Sequence, residues 1–214
     1  MNKTSMFLSA LVLGGFAVAG VTLVATTHAV VDQRITDNHR LAMQRKLDVI
    51  VPGGRGDNDP LSDRIEVSDQ ERLGAEVTQI YRVREGNQPV ALVLNPVVPD
   101  GYAGPIKLLV SVLPDGRVGG VRVLSHHETP GLGDWIDDAK SDWVLGFDGK
   151  SLGAPAAERW RVKRDGGDFD QFTGATITPR AVVKAVKNTL EYVQVQGERL
   201  YTAPPIGPKG KEAS

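Results

Sequence analysis

The amino-acid sequence predicts an α+β protein, in which an antiparallel sheet with flanking helices follows one N-terminal transmembrane helix. Residues 4–31 contain no Asp, Glu, Lys or Arg, and about 20 helical residues span the roughly 30 Å of a bilayer core. Apolar residues alternate on both sides of a Pro-Asp-Gly turn between residues 106 and 123, a pattern typical of a β-hairpin. Residues 179–196 carry apolar side chains at helical spacing and predict an amphipathic helix on the sheet.

The N-terminal segment, residues 1–32, is expected to be a retained membrane anchor. A cleaved signal peptide is the alternative, but the apolar run is long for one, and residues 27–29 (Thr-His-Ala) make a poor cleavage site. Residues 33–60 are predicted to form a membrane-proximal helix, residues 36–50, and a turn-rich linker. Positive charges lie mainly after the span and weakly favour a cytoplasmic C-terminal side. Lys3 precedes the span, and Arg34, Arg40, Arg45 and Lys46 follow it.

Residues 90–125 are predicted to form the sheet. The apolar run at residues 90–98 predicts a buried strand, which precedes the hairpin described above. Gly119 and Gly120 interrupt the alternation of the second hairpin strand. Glycines inside a strand indicate a bulge or the close approach of another backbone segment, so we expect one of these at this point.

The region after the hairpin is predicted to contain one more helix and one more strand. Residues 134–143 are expected to form a short helix that places Trp135 and Trp143 in the core. Residues 158–164 (Glu-Arg-Trp-Arg-Val-Lys-Arg) alternate basic and apolar side chains, which predicts a strand with a basic outer face. Residues 202–214 are rich in Pro, Gly and Lys and are expected to be a disordered tail.

The composition excludes several classes of cofactor. The chain has 214 residues, a formal net charge of -1 and no Cys, so it holds no disulfide, thiolate iron–sulfur cluster, Cys-ligated zinc or c-type haem. A charge near zero gives no support for nucleic-acid binding. No Gly-x-Gly-x-x-Gly motif follows a predicted strand, which argues against an NAD site. Electron transfer by this chain would therefore need a cofactor of another kind.

Residues 170–176 (Asp-Gln-Phe-Thr-Gly-Ala-Thr) form the most specific motif of the chain. The motif resembles the flavinylation sequence Asp-x-x-Ser/Thr-Gly-Ala-Thr, at which a flavin transferase esterifies FMN through its phosphate onto the last threonine. Thr176 supplies the hydroxyl group for such an ester. The small residues Gly174 and Ala175 allow another active site to approach the backbone closely.

The residues after this motif predict a helix N-terminus. Thr178 is expected to be the N-cap and Pro179 the first helical residue, where its missing N–H is tolerated. Thr176 would then lie just before the helix. Free N–H groups and the helix dipole favour a phosphate group at such a position.

Two further segments resemble the FMN-binding domain family. Residues 126–133 (His-His-Glu-Thr-Pro-Gly-Leu-Gly) are similar to the family's Glu-Thr-Pro-Gly-Leu-Gly loop, which lies against the flavin ring. Residues 101–107 (Gly-Tyr-Ala-Gly-Pro-Ile-Lys) are similar to the family's entry to its central sheet. Together with the threonine motif, these segments assign residues 90–195 to the family domain. We expect that domain to extend over residues 61–201.

The resemblance implies that FMN is attached covalently to Thr176 as a phosphoester. It also implies that Leu132 packs on a ring face, that Thr129 hydrogen-bonds a ring edge and that Lys163 helps to hold the phosphate or the ring. The other residues expected at the cofactor are Asp170, Thr173, Gly174, Ala175, Glu128 and Gly133. No catalytic residue and no metal ligand is expected.

Within this family the chain resembles the G subunits of Rnf-type (Rsx-type) ion-translocating electron-transport complexes. That resemblance implies a single-pass protein of the bacterial cytoplasmic (inner) membrane, with its soluble domain on the periplasmic side. Electrons would pass through its FMN between ferredoxin and NAD while Na⁺ or H⁺ crosses the membrane. Its partners would be the other subunits of the complex and, for maturation, a flavin transferase. The charge count favours the opposite orientation, and we follow the resemblance.

Several alternatives stay open. The chain also resembles the C subunit of the sodium-translocating NADH:quinone reductase, and in some bacteria a related complex keeps a redox-sensing transcription regulator reduced. A membrane-anchored binding module without a cofactor would use the threonine motif only as a helix cap. A metal-dependent enzyme built around His126, His127 and Glu128 is disfavoured, because adjacent side chains of a strand point to opposite sides.

Overall fold

The computed structural model describes residues 3–54 and 56–206. The first element, helix α1 (Lys3–Ile50), is one continuous helix. Its segment Leu11–His28 has a mean hydropathy of 1.7, and none of it is buried. By length and composition this segment is able to cross a membrane, although an N-terminal signal sequence has the same properties. The predicted span and the predicted helix at residues 36–50 are therefore parts of one helix.

The chain divides into two compact units, residues 1–45 and 46–214. The first consists of α1 up to residue 45. The described residues of the second contain the end of α1, a six-stranded sheet and helices α2 (Gln70–Leu73), α3 (Ile177–Gln196) and α4 (Arg199–Thr202). The domain boundaries expected at residues 32, 60 and 201 stay predictions.

The strands of the sheet are β1 (Arg64–Val67), β2 (Thr78–Glu85), β3 (Gln88–Leu94), β4 (Val97–Val98), β5 (Ile106–Val112) and β6 (Val118–Ser125). All of their pairings are antiparallel, as predicted. Strand β5 pairs with β6 along one edge and with β3 and then β4 along the other. Strands β2 and β1 continue the sheet beyond β3.

The main core lies between the sheet and α3. Val182, Val186 and Leu190, which follow one another at intervals of four residues, are at most 2% exposed. They belong to one apolar cluster with β5 residues such as Leu108 and Val110. This burial confirms the amphipathic helix predicted at residues 179–196, since side chains four positions apart share one face of a helix.

The glycine pair in β6 forms the predicted bulge. Ser111 pairs with Gly120 and the next residue, Val112, pairs with Val118, so Gly119 is left as the extra residue. The pair also allows the predicted close approach, because a Cβ on Gly120 would lie 2.9 Å from the carbonyl oxygen of Ile50. The end of α1 packs at this point, and Leu47, Ile50 and Val51 are at most 2% exposed.

The strand predicted at residues 158–164 is wrong. Two short 3₁₀ turns, Ala157–Arg159 and Lys163–Asp165, occupy the region, and a single bridge joins Val162 to Phe169. The second turn closes on Gly166 at a φ of +80°, which only glycine adopts readily. The alternation of basic and apolar residues does not come from the pleat of a strand. It arises because the turns bury the apolar side chains of Trp160 and Val162 in the core.

The single helix predicted at residues 134–143 is also wrong. The chain instead forms two 3₁₀ turns, Gly133–Ile136 and Asp142–Phe147. The side chain of Ser141 caps the second turn by accepting the N–H of Trp143 at 3.2 Å, so the helical path restarts there. Trp143 packs against the core as predicted, but Trp135 is 44% exposed and does not.

The sequence patterns do not predict β1, α2 or β2. Strand β2 is difficult to recognise because Arg82, at its centre, is 2% exposed. The Arg82 guanidinium is paired with the carboxylate of Asp63, which also accepts the Nε–H of Arg84 at 2.9 Å. A buried charge is tolerated when it is paired and hydrogen-bonded in this way.

The C-terminal segment is tied to the same strand. Arg82 and Arg84 donate to the carbonyl oxygen of Tyr201 at 3.1 and 2.6 Å, and the N–H of Ile206 donates to the carbonyl of Arg64 at 2.8 Å. Of the predicted disordered tail, residues 202–206 are therefore held by the end of α4 and by β1. The rest of that tail, from residue 207 onward, lies outside the described residues.

Candidate cofactor site

Three segments that are distant in the sequence meet at one cleft of about 310 Å³. This volume lies at the lower end of the range of ligand pockets, about 300–1,000 Å³. The cleft is lined by Tyr102, Glu128, Thr129, Leu132, Gly133, Gly174, Ala175, Thr176, Ile177 and Thr178. A larger cavity of about 450 Å³, between the hairpin turn and the end of α3, contains none of the residues predicted for the cofactor.

The first wall of the cleft is the loop that leaves β6. The carbonyl of Thr129 accepts the N–H groups of Leu132 and Gly133 at 3.1 and 3.2 Å. Gly131, which lies inside this turn, has a φ of +76°. This tight turn, for which glycine is suited, leaves the side chain of Leu132 42% exposed at the cleft. An apolar side chain in this position is available to contact a flat ligand.

The second wall is the loop of the threonine motif. Ala175 donates its N–H to the carbonyl of Phe172 at 3.2 Å, and Gly174 has a φ of +80° in the third position of this turn. The turn leaves Thr173 and Gly174 exposed. A Cβ on Gly174 would lie 3.6 Å from Cδ2 of Leu132, so the two walls are in contact.

Helix α3 begins directly after this motif, which corrects the predicted cap. The helix starts at Ile177, and Thr176 occupies the N-cap position with no side-chain capping bond. Thr178, the predicted N-cap, lies in the first turn and donates its hydroxyl to Oε2 of Glu128 at 2.6 Å. The helix starts earlier because a buried carboxylate, and not a backbone N–H, is the partner of Thr178. Pro179 remains in the first turn, where a backbone N–H has no acceptor within the helix, so its missing donor costs no hydrogen bond.

A buried carboxylate joins all three segments. Glu128 is 4% exposed, and besides the bond from Thr178 its Oε1 accepts the N–H of Ala103 at 3.2 Å. Glycines leave room for it, since a Cβ on Gly101 would lie 2.9 Å from Oε1 and a Cβ on Gly133 would lie 2.5 Å from Oε2. The carboxylate is therefore enclosed by the loop before β5, the loop after β6 and the start of α3.

Three predicted site residues, Lys163, Asp170 and Thr173, do not line the cleft. The ammonium group of Lys163 pairs with Oδ1 of Asp170 at 2.6 Å, and both side chains are exposed. The carbonyl of Asp170 accepts the indole N–H of Trp143 at 2.8 Å. These contacts fix the outer arm of the motif loop, and a direct role of the three residues at the cofactor stays a prediction.

The cationic side chain in the first turn of α3, Arg180, is already neutralised. Arg180 forms two hydrogen bonds with the carboxylate of Asp165, at 2.6 and 2.8 Å. These bonds from the guanidinium lower the pKa of Asp165 below its ordinary value, and the same bonds raise the pKa of Arg180. A phosphate at Thr176 would therefore meet mainly the free backbone N–H groups of the helix N-terminus.

Three lining residues were not predicted as site residues: Tyr102, Ile177 and Thr178. Tyr102 and Ile177 are 67% and 48% exposed. The signals available for these two were an aromatic residue between glycines and an apolar residue outside the stripe of α3. Thr178 was assigned to a cap because its partner, Glu128, is fifty positions away in the sequence.

Known proteins resemble the chain over most of its length. Residues 101–191 match the FMN-binding domain, and residues 1–50 match the RnfG N-terminal region. The chain is 49% identical to the G subunit of the ion-translocating oxidoreductase complex of Pseudomonas aeruginosa (strain UCBPP-PA14) over 200 residues, 93% of this chain and 94% of the relative. It is 46% identical to the corresponding G subunit of Shewanella loihica over 203 residues, 94% of this chain and 96% of the relative.

These matches confirm the resemblance to the G subunits of Rnf-type complexes. All three segments that form the cleft fall within the match to the FMN-binding domain. Because an identity of 49% extends over 93% of its length, the chain belongs to the RnfG family, the G subunits of ion-translocating oxidoreductase complexes, and carries an FMN-binding domain.

Proposed function

We propose that this chain is a membrane-anchored electron carrier of an Rnf-type complex, with FMN esterified through its phosphate to Thr176. The observation that carries the proposal is the position of Thr176, a residue that lines the cleft and whose side chain forms no capping bond. Threonine is among the residues preferred at an N-cap, because its oxygen can accept a backbone N–H. The side chain of Thr176 makes no such bond, which leaves its hydroxyl available for an ester.

The residues of the cleft suit FMN. Helix α3 has 20 residues, and the N–H groups of Ile177 and Thr178 have no acceptor within the helix. Together with the helix dipole they favour a phosphate on the neighbouring Thr176. Leu132 and Tyr102 offer apolar surface to the ring system, and Thr129 lines the same cleft. The cleft thus combines an anion site with an apolar wall.

The attachment step would be a transfer from flavin adenine dinucleotide, catalysed by a flavin transferase. The Thr176 oxygen attacks the phosphorus next to the flavin, a new P–O bond forms, and the P–O bond of the pyrophosphate bridge breaks. AMP leaves, and the hydroxyl proton passes to a base of the transferase. No electrons are exchanged, and the product is FMN bound as a phosphoester.

Bound FMN supplies transfer of one or two electrons. Thr176 would hold the group through the ester bond, Leu132 and Tyr102 would limit the access of water to it, and Thr129 would offer a hydrogen-bonding hydroxyl. The exposed turn at Gly174 leaves one side of the cleft open to neighbouring electron carriers. A covalent bond also retains the cofactor in a compartment where free FMN is scarce.

The membrane location completes the proposal. Segment Leu11–His28 of α1 would anchor the chain in the bacterial inner membrane, with the FMN domain on the periplasmic side. Electrons would pass between ferredoxin and NAD through this and the other subunits, coupled to the movement of Na⁺ or H⁺. The relatives in Pseudomonas aeruginosa and Shewanella loihica, both named as the G subunit of an ion-translocating oxidoreductase complex, support this role.

The test is to produce the wild-type chain, Thr176→Ala and Thr176→Ser with a flavin transferase, and to record flavin fluorescence on denaturing gels. We expect a fluorescent band in the wild type and in Thr176→Ser, which keeps a hydroxyl group, and none in Thr176→Ala. A fluorescent band in Thr176→Ala would show that flavin is attached to a residue other than Thr176. No band in the wild type would favour a membrane-anchored binding module without a cofactor.

A further inference from the structure

The carboxylate of Glu128 does not bond to the reacting hydroxyl. Within the described part of the chain, its hydrogen bonds come from Thr178 and Ala103. The bond from Thr178 is the shorter, at 2.6 Å, and it joins two buried groups. A hydrogen bond to an ionised acceptor is about twice as strong as one between neutral groups. Glu128 therefore fixes the rotation of the first turn of α3.

That rotation decides which threonine faces the cleft entrance. Successive residues of an α-helix are about 100° apart, so residues two positions apart point about 200° apart. Thr176 already has helical dihedral angles, φ −81° and ψ −26°. Thr178 is turned inward and 0% exposed, so the side chain of Thr176, which is partly exposed, points away from Glu128. The two hydroxyl groups in this turn thus have different access to an approaching enzyme.

We propose that Glu128 is a positioning residue for flavin attachment, and that it selects Thr176 by holding Thr178. The inference rests on the proposed function, because it names the device that presents the acceptor hydroxyl. Glu128 binds the hydroxyl of Thr178, so that Thr176 is the threonine presented to the transferase. It acts through Thr178 and the first turn of α3, and it takes no proton from Thr176.

The experiment measures the initial rate of FMN attachment to purified, unmodified full-length chain by a flavin transferase supplied with flavin adenine dinucleotide. Thr178→Val removes the donor at constant shape, Thr178→Ser keeps it, and Glu128→Gln removes the charge. Asp134→Asn is the matched control, because Asp134 is a buried acid, 7% exposed, whose Oδ1 has no partner in the described structure.

We expect kcat for attachment to fall about tenfold in Thr178→Val and in Glu128→Gln, the effect of one hydrogen bond to a charged group. Thr178→Ser and Asp134→Asn should stay within about twofold of the wild type, and KM for the chain should be unchanged. The double variant Glu128→Gln/Thr178→Val should be no slower than Thr178→Val alone, since both substitutions act on the same bond. Peptide mass spectrometry should locate the flavin on Thr176 in Thr178→Ser.

The possible outcomes separate this inference from the proposed function. Wild-type rates in both Glu128→Gln and Thr178→Val, with normal attachment in the wild type, would overturn the positioning role and leave the proposed function intact. If attachment slowed as much in Thr178→Ser as in Thr178→Val, the positioning role would also be overturned. Thr178→Ser keeps the hydroxyl donor, so such a loss would reflect a general disturbance of the structure and not the lost hydrogen bond. No attachment in the wild type would overturn both. Hydrogen exchange of the Ala103 amide, faster in Glu128→Gln, gives a readout that needs no flavin.

Discussion

Two threonines in the first turn of α3 have opposite surroundings. Both residues line the cleft, but the hydroxyl of Thr178 is buried and donates to Glu128, whereas the side chain of Thr176 forms no capping bond. Both belong to a segment whose sequence pattern predicts a simple cap. The chemical difference between the two residues therefore comes from a partner on a distant loop, and not from their own neighbours in the sequence.

Gly174 gives a test at the level of one residue. Its φ of +80° is strained for any residue with a Cβ, although space is available there. We expect Gly174→Ala to lower the free energy of unfolding by about 1–2 kcal/mol and to slow FMN attachment. Gly146→Ala is the control, because Gly146 has no atom within 4 Å of an added Cβ and no positive φ. Urea unfolding and the attachment rate check this, and equal behaviour of the two variants would refute it.

The structural elements that local patterns predict are those whose own residues show a regular apolar period. The hairpin of β5 and β6 and the stripe of α3 follow from alternation and helical spacing. The apolar pattern does not predict β2, because buried Arg82 interrupts it and the partner of Arg82, Asp63, is not identifiable from the sequence. At residues 158–164 the sequence shows an alternating pattern but the chain forms no strand. Short turns, the second of which ends at Gly166, bury the apolar residues Trp160 and Val162.

The candidate site follows the same rule. The threonine motif and the loop of residues 126–133 are contiguous, so their resemblance to known motifs identified seven of the ten cleft residues. The role of Thr178 was not predictable, because it depends on the position of Glu128 in space. Lys163 was assigned from its place before the motif, but its charge is directed to Asp170.

Helix α4 gives a prediction at the level of an element. Burial raises the pKa of Tyr201 from 10.0 to about 12, so between these pH values the unfolded chain loses the phenolic proton and the folded chain keeps it. Stability should therefore fall as the pH rises from about 10 to about 12. Burial raises the pKa of Tyr81 and Tyr192 as well, so Tyr201→Phe should reduce this fall without abolishing it. Denaturant unfolding at several pH values measures the slope, and an unchanged slope in Tyr201→Phe would contradict the assignment.

At the scale of the whole molecule, the folded unit begins within α1. Leu47, Ile50 and Val51 are at most 2% exposed, and they precede the expected start of the FMN-binding domain at residue 61. A fully buried aliphatic side chain contributes about 1.5–3 kcal/mol. The last turn of α1 is therefore part of the core of the second unit.

This arrangement predicts where the chain is best shortened. A chain that starts at residue 46 should fold and accept FMN without a membrane, because it retains the buried side chains of Leu47, Ile50 and Val51. A chain that starts at residue 61 should lose several kcal/mol of stability. Thermal unfolding of the two, with FMN attachment as a second readout, checks the prediction. Equal stability would assign residues 46–60 to a linker that contributes nothing to the core.

The most direct test of the central claim is the mass of the peptide that contains Thr176, taken from wild-type chain produced with a flavin transferase. We predict that this peptide gains the mass of one FMN less one water, and that fragmentation assigns the gain to Thr176. An unmodified peptide, or a flavin located on Thr173 or Thr178, would contradict the proposed electron carrier as described.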